Sequence, residues 1–421
     1  MAIEVYGGKK VSGEIRIQGS KNAVLPLMAA SLLCEGQTVI HHCPQIRDVQ
    51  VMQEVMQELG SRITFCDHSL CMEHSCFGKC CICQDKVKEL RASILLMGSC
   101  LARFGEVTIA YPGGCSIGKR PIDFHIQAFR RMGVTIVEEE DKLCCHCKNK
   151  LHGAHIVLPF PSVGATENII LAAVLAEGET EIQNAAREPE IVELCRFLRQ
   201  AGAIIKGEGT SIIRIEGKRM LQGGSWILCG DRIVFLTFAM LVAGCGGELV
   251  LYSEDLFGER ERTVWHSLGG REEVGEHMLL LRKHGVTRPI PYLNTGPYPE
   301  FPTDGQSLLL PVLTKANGIS TIEERVFERR FQMIGQLQKM GANIDSVSNR
   351  ARITGVTKLH GADVAAQDLR SGAGLLIAAA MAEGTSRIRN EEYIQRGYEN
   401  IVENMNALGF EARYCQEERN D

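Results

Sequence analysis

A segment pattern that recurs six times, at roughly 70 residues, limits the architectures open to this chain more than any other feature. Each copy opens with an apolar stretch rich in small residues that closes near a glycine. The first begins at Lys21-Asn22-Ala-Val-Leu-Pro-Leu and closes at Gly36. The others begin at Arg91, Gly164, Asp231, Asp304 and Asp368 and close at Gly105, Gly178, Gly247, Gly318 and Gly384. A strand-like stretch follows each glycine: Thr38-Val-Ile, Val107-Thr-Ile, Thr180-Glu-Ile, Leu249-Val-Leu, Ser320-Thr-Ile and Ser386-Arg-Ile. Next comes an amphipathic helix, as over 190–200, where Val192, Cys195 and Leu198 keep helical spacing. These helices are expected to stop at Gly60, Gly133, Gly202, Gly285, Gly341 and Gly409, each placed as a C-terminal cap.

Segments rich in Ala, Leu and Gly, with few charges, are expected to form helices buried on nearly all sides. Sheets must then lie outside them. A chain of 421 residues exceeds one ordinary core. Three repeats on each side of a boundary near Gly230 therefore predict two similar α/β domains, helices inside and sheets outside. The unit is longer than the usual solenoid repeat.

Polar residues at the predicted first turns of the inner helices are the first functional candidates: Lys21, Asn22, Arg91, Thr166, Asp231, Arg232, Asp304, Asp368 and Arg370. Asp and Thr have an ordinary reading there as N-caps. Lys and Arg oppose the positive end of the helix dipole, which predicts an anion between them. Two domains presenting such ends to each other would trap a small, highly charged anion. The net charge of −5 argues against a nucleic-acid-binding surface. No long uncharged apolar run suggests a membrane span, and the first residues lack a signal-peptide core, so a cytoplasmic location is expected. The 17 cysteines, an odd number, then read as reduced thiols.

Eight motifs follow one another along the chain: Ser20-Lys21-Asn22-Ala, Leu90-Arg91-Ala-Ser, Pro112-Gly-Gly-Cys115-Ser-Ile-Gly-Lys-Arg120-Pro, Asn184-Ala-Ala-Arg-Glu-Pro-Glu190, Phe301-Pro-Thr-Asp304, Phe327-Glu-Arg-Arg330-Phe, Asp368-Leu-Arg370 and Arg396-Gly-Tyr. In this order they resemble the signatures of the UDP-N-acetylglucosamine 1-carboxyvinyltransferases, within the EPSP synthase superfamily. The resemblance implies a two-domain inside-out α/β barrel, with the first strand crossing to the second domain. Residues 20–229 would form one domain, and 1–19 with 230–421 the other. It also implies transfer of the enolpyruvyl group of phosphoenolpyruvate to the 3-hydroxyl of UDP-N-acetylglucosamine. Phosphate would be released, in the first committed step of peptidoglycan precursor synthesis. The implied enzyme needs no metal or organic cofactor and works as a monomer, without nucleic-acid or membrane partners.

The resemblance also assigns roles. Cys115 lies in a glycine-punctuated loop after a strand, with Lys119 and Arg120 nearby to favour its thiolate. It would be the general acid for the substrate methylene, able to bond phosphoenolpyruvate and sensitive to epoxide inhibitors. Asp304 would bind the attacking hydroxyl and take its proton. Lys21, Arg120 and Arg396 match the phosphate and carboxylate ligands, with Arg91 and Arg370 contributing. Nucleotide-sugar contacts carry over to Asn22, Arg91, Arg120, Pro121, Ile122, Asp123, Phe124, Ser162, Val163, Gly164, Asp304 and Val326. Arg330 completes the set, and Asp368 would position the reacting groups, although a helix cap explains it as well.

Phe160 stands where the family has a basic residue, Val234 where it has Glu, and Arg329 where it has Asn, while 252–298 matches poorly. A diverged, non-catalytic paralogue that binds a nucleotide sugar or a regulatory partner stays open as the alternative. Cys66, Cys71, Cys76, Cys80, Cys81 and Cys83 with His68 and His74, and Cys144, Cys145, His146 and Cys147, form two clusters. Both fall where the repeat predicts strand hairpins, on which residues three apart face opposite sides. No metal site is therefore assigned.

Overall fold

Six apolar helices with few charged side chains dictate the architecture, because each must be covered nearly all round. They span Lys21–Ser31, Leu96–Phe104, Val163–Ala173, Arg232–Cys245, Thr303–Leu313 and Leu369–Met381. In the fourth, every residue from Ile233 to Ala243 is buried. The computed structural model describes residues 1–74, 80–82, 84–111, 118, 121–218 and 220–416. Of these, 19–111 and 121–229 form one compact unit, and 1–18, 118 and 230–416 the other.

Each unit has its own core. In each, three inner helices pack on one another and three four-stranded sheets cover them. All six sheets share one order. A parallel edge strand lies beside the strand that follows the inner helix, then come two antiparallel strands, which in the first five sheets form a hairpin. In the first sheet the order is Ser225–Ile227, Gln37–His41, Ser69–Glu73, Arg62–Cys66. All six strand-like stretches named from sequence lie in strands. The sheets are separate and do not hydrogen-bond into a closed barrel among the described residues.

The first 16 residues complete two sheets of the second unit. Val11–Arg16 pairs in parallel with Gly247–Tyr252 as the edge strand of the fourth sheet. Ala2–Tyr6 lies between Thr385–Arg389 and Glu411–Cys415, antiparallel to both. It fills the hairpin position that the sixth repeat does not supply from its own sequence.

One helix stop departs from expectation. The amphipathic helix of the fourth repeat is Glu259–Ser267, and it ends at Gly269 (φ 93°), not at Gly285. Residues 270–283 are a hairpin, Gly270–Gly275 against Met278–Lys283. Glycine is favoured at Gly269 because the backbone is left-handed there. Gly285 also has a positive φ but follows a strand. Inner helices also approach closely at glycines. A Cβ on Gly98 would collide with the Asn168 backbone carbonyl and side-chain oxygen, and one on Gly374 with the Ser307 carbonyl.

Candidate functional site

In the unit containing 230–416, the fifth inner helix starts at Thr303 and has no side-chain cap. Asp304 is its second residue, so the N-cap reading does not hold. Its carboxylate instead lies between two guanidiniums. Arg330 Nη2 donates to Asp304 Oδ1 at 2.5 Å, and Arg370 Nε donates to Asp304 Oδ2 at 3.0 Å. The two arginine side chains are 2% and 4% exposed, whereas that of Asp304 keeps 29% of its surface. Burial alone would raise the Asp304 carboxyl's pKa, but Arg370 and Arg330 hold it well below the usual carboxylate range.

Further bonds set the arginines. Arg330 Nε donates to Thr303 O at 3.3 Å, and its Nη1 lies 3.9 Å from Asp368 Oδ1. Arg370 Nη1 donates to Tyr398 Oη at 3.2 Å. The Thr237 hydroxyl donates to Ile233 O at 2.7 Å, so the Tyr398 hydroxyl, 2.7 Å away, is the donor to Thr237. One donor chain thus runs from Arg370 through Tyr398 and Thr237 to the fourth inner helix. Asp368 caps the sixth inner helix, accepting from Arg370 N and Ser371 N, while Ser371 Oγ accepts from Asp368 N at 2.9 Å. Glu324 Oε1 accepts from Val326 N at 2.8 Å and Phe327 N at 3.2 Å, and its Oε2 from Thr303 Oγ1 at 2.9 Å. That carboxylate ties the loop bearing Val326 to the start of the fifth inner helix. Arg396, half-buried, ends the short helix Glu392–Gln395, two residues before Tyr398.

In the unit containing 19–229, Ser20 caps the first inner helix, and Lys21 and Asn22 open it. Lys21 Nζ lies 2.7 Å from Asp48 Oδ2, with both side chains nearly buried. Arg91, half-buried, opens a 3-10 turn, Arg91–Leu95, that leads into the second inner helix. Ser162 caps the third, accepting from Ala165 N, and Val163 and Gly164 begin it. Thr166 lies beyond the cap, its hydroxyl accepting from Ala186 N at 3.0 Å. Asp123 and Phe124 open the helix Asp123–Arg131 after the buried Ile122, and Pro121 is exposed. Cys115 and Arg120 lie outside the described residues.

Three of the inner-helix cations face carboxylates within the protein. Lys21 faces Asp48, Arg370 faces Asp304, and Arg232 Nη1 lies 3.4 Å from Glu261 Oε1. A carboxylate thus orients each of these three cations. Sequence reasoning missed Asp48, Glu261, Glu324 and the hydroxyl of Tyr398. Only Tyr398 carried a signal, from its place in Arg396-Gly-Tyr. Of the departures from the family pattern, Val234 packs in the core, while Phe160 and Arg329 are exposed.

Among the described residues, no group of three or more His, Cys, Asp or Glu side chains is placed to hold a metal. Cys66 and Cys71 lie on the Arg62–Cys66/Ser69–Glu73 hairpin, and Cys144, Cys145 and His146 on the strand Lys142–His146. Cys76 and Cys83 are outside the described residues. His74 is buried, with Nδ1 2.8 Å from Ser61 Oγ and Nε2 2.8 Å from Ser31 Oγ. Also among the described residues, no helix is long and apolar enough to cross a membrane.

What the Asp304 group can do follows from its charges. The carboxylate is ionised throughout the working range of pH and is already neutralised by two guanidiniums. Its exposed edge can accept a hydrogen bond from a hydroxyl, since each oxygen has two acceptor sites. Taking that proton outright requires the arginine contacts to loosen or the site to lose water.

Known proteins resemble this chain in sequence and in fold. The EPSP synthase (3-phosphoshikimate 1-carboxyvinyltransferase) family profile matches residues 5–405. A UDP-N-acetylglucosamine 1-carboxyvinyltransferase from Wolbachia sp. subsp. Brugia malayi is 41% identical over 410 residues, 95% of this chain and 96% of that protein. One of the same name from Finegoldia magna is 38% identical over 414 residues, 97% of each. Among solved structures, the enolpyruvyl transferase NikO from Streptomyces tendae superposes with a TM-score of 0.89 at 22% identity, covering 98% of each chain. The EPSP synthase from Acinetobacter baumannii gives 0.77 at 18% identity, covering 99% of this chain and 100% of that one. Both share the inside-out α/β fold. On a profile match across almost the whole chain and relatives near 40% identity, this chain belongs to the EPSP synthase family of carboxyvinyltransferases.

Proposed function

We propose that this chain transfers the enolpyruvyl group of phosphoenolpyruvate to the 3-hydroxyl of UDP-N-acetylglucosamine, with release of phosphate, as the first committed step of peptidoglycan precursor synthesis. The observation that carries the acceptor is the near-full-length identity of about two residues in five to relatives bearing that name. On this reading the hydroxyl oxygen attacks C2 of phosphoenolpyruvate while C3 gains a proton, giving a tetrahedral ketal. Loss of a C3 proton and of phosphate from C2 then restores the double bond. Nothing is oxidised or reduced, so the reaction needs no redox cofactor, and the side chains named below carry its charges and protons.

Asp304 binds the attacking hydroxyl and receives its proton. Its clamp by Arg330 and Arg370 supports the binding half of that role, because the carboxylate is always ionised and oriented. Cys115 supplies the C3 proton. Lys21, Arg120 and Arg396 bind the anionic groups of phosphoenolpyruvate, with Arg91 and Arg370 assisting. Asn22, Arg91, the 120–124 segment, Ser162, Val163, Gly164 and Val326 contact the nucleotide sugar, and Asp368 positions Arg330 and Arg370. The enzyme acts in the cytoplasm as a monomer, without nucleic-acid or membrane partners.

Phosphate release measured with phosphoenolpyruvate and UDP-N-acetylglucosamine, against 3-phosphoshikimate as acceptor, tests the reading. Release with the nucleotide sugar alone is the expected result. Release only with 3-phosphoshikimate overturns the acceptor, and no release with either, at high enzyme concentration, leaves a non-catalytic binding protein.

A further inference from the structure

A cavity of about 680 Å³ opens on the fourth sheet, within the unit containing 230–416, largely in the stretch that matches the family motifs poorly. Its walls are the hairpin 270–283, the segment 284–289 that follows it, and Asn317. Its volume is that of a small-molecule site. None of its lining residues belongs to the Asp304 group.

Its charges are unbalanced. Arg271 and Arg282 stand directly opposite each other in the antiparallel register, so their guanidiniums leave the same face. Such a like-charge pair costs stability unless an anion joins it. Arg282 has carboxylates, Glu248 at 3.3 Å and Glu273. Arg271 and Arg288, both exposed, make no hydrogen bond or ion pair with the described residues. Glu272 is engaged by Arg262 at 2.5 Å, Trp265 at 2.9 Å and His266 at 2.8 Å.

The next residue after Arg282 has its side chain on the buried face of the strand. Lys283, 2% exposed, lies behind the Gly269 and Gly285 backbone of the wall. Its ammonium donates to Gly285 O at 2.7 Å and to Thr287 Oγ1 at 3.4 Å, and no carboxylate pairs with it among the described residues. A buried ammonium held by neutral oxygens alone is costly.

We propose that this cavity is a second ligand site that takes a small organic molecule carrying two or more adjacent anionic groups, phosphate or carboxylate. Arg271 and Arg288 bind those groups as guanidinium forks, and Leu280, Val286 and Pro289 receive the organic part.

Calorimetric titration of the full-length protein at low salt, with inorganic pyrophosphate and separately with citrate, tests this. At least one probe should bind the wild type. The Arg271→Ala/Arg288→Ala double variant should weaken that binding by about tenfold or more. Both residues are exposed, so circular dichroism should show the fold intact. Arg396→Ala, which addresses the proposed transfer site, should leave this binding within about twofold. Pyrophosphate alone assigns phosphate ligands, and citrate alone assigns carboxylates. Failure of both probes to bind below about 5 mM overturns the site, as does wild-type affinity in the double variant. The phosphate-release assay is unaffected by either result.

Discussion

Replacing Asp304 with Asn separates a chemical role from a structural one. The change keeps shape but removes the negative charge between Arg330 and Arg370, which stay buried. The new amide can accept from one guanidinium only, and its NH2 group then faces the other as donor to donor. Breaking a buried ion pair costs about 3–5 kcal/mol. The partly open edge of Asp304 puts this case at the lower end, about 3 kcal/mol. A domain with about 5–15 kcal/mol of stability keeps at least about 2, a folded-to-unfolded ratio of roughly 30. Unfolding therefore accounts for only a few per cent of any lost activity. Loss of a group that binds and deprotonates the acceptor hydroxyl should instead lower kcat about 10²–10⁴-fold. Steady-state phosphate release, with urea denaturation of the same preparation, measures both quantities. A kcat within about threefold of wild type, on folded protein, would refute the assignment of Asp304 to the reaction.

The remaining expectations concern stability and labelling. Burial, reinforced by Arg103, pushes the His74 pKa down to about 4 from 6.5. The unfolded chain therefore binds the proton first, and stability should fall from pH 6.5 towards pH 4 and then level off, by about 3 kcal/mol in all. Urea midpoints across that range should lose much of this slope in His74→Gln, and equal slopes would remove His74 as the cause. Gly98→Ala and Gly374→Ala should each cost about 1–3 kcal/mol by thermal denaturation, because the added methyl meets a carbonyl of the adjacent inner helix. An unchanged Tm in both would show that the helices separate freely. A small epoxide should modify Cys115, and Cys115→Ser should lose that adduct in peptide mass maps. Burial pushes the Cys34 thiol up to about 11 and those of Cys145, Cys195 and Cys245 up to about 12, so these should stay unlabelled. Retention of the adduct in Cys115→Ser would place the reactive thiol elsewhere.

The sequence by itself determined the repeat, the six buried helices and the strand after each, because apolar periodicity and glycine stops are properties of neighbouring residues. It also carried the family, through short motifs such as Phe301-Pro-Thr-Asp304 and Asp368-Leu-Arg370. Only the tertiary structure decided what those residues meet. Asp304 and Arg370 are 66 positions apart, and nothing local says that one neutralises the other or that Tyr398 orients the arginine. The same holds for Lys21, whose pairing with the nearly buried Asp48 nothing in the neighbouring sequence announces. The fourth repeat was misread at Gly285 because two glycines, at 269 and 285, have equal claims to end a helix; strand pairing of 270–275 with 278–283 decides between them. Ala2–Tyr6 settles between strands nearly 400 residues away, because the sixth sheet lacks a hairpin strand of its own and an open edge there would leave backbone groups unpaired.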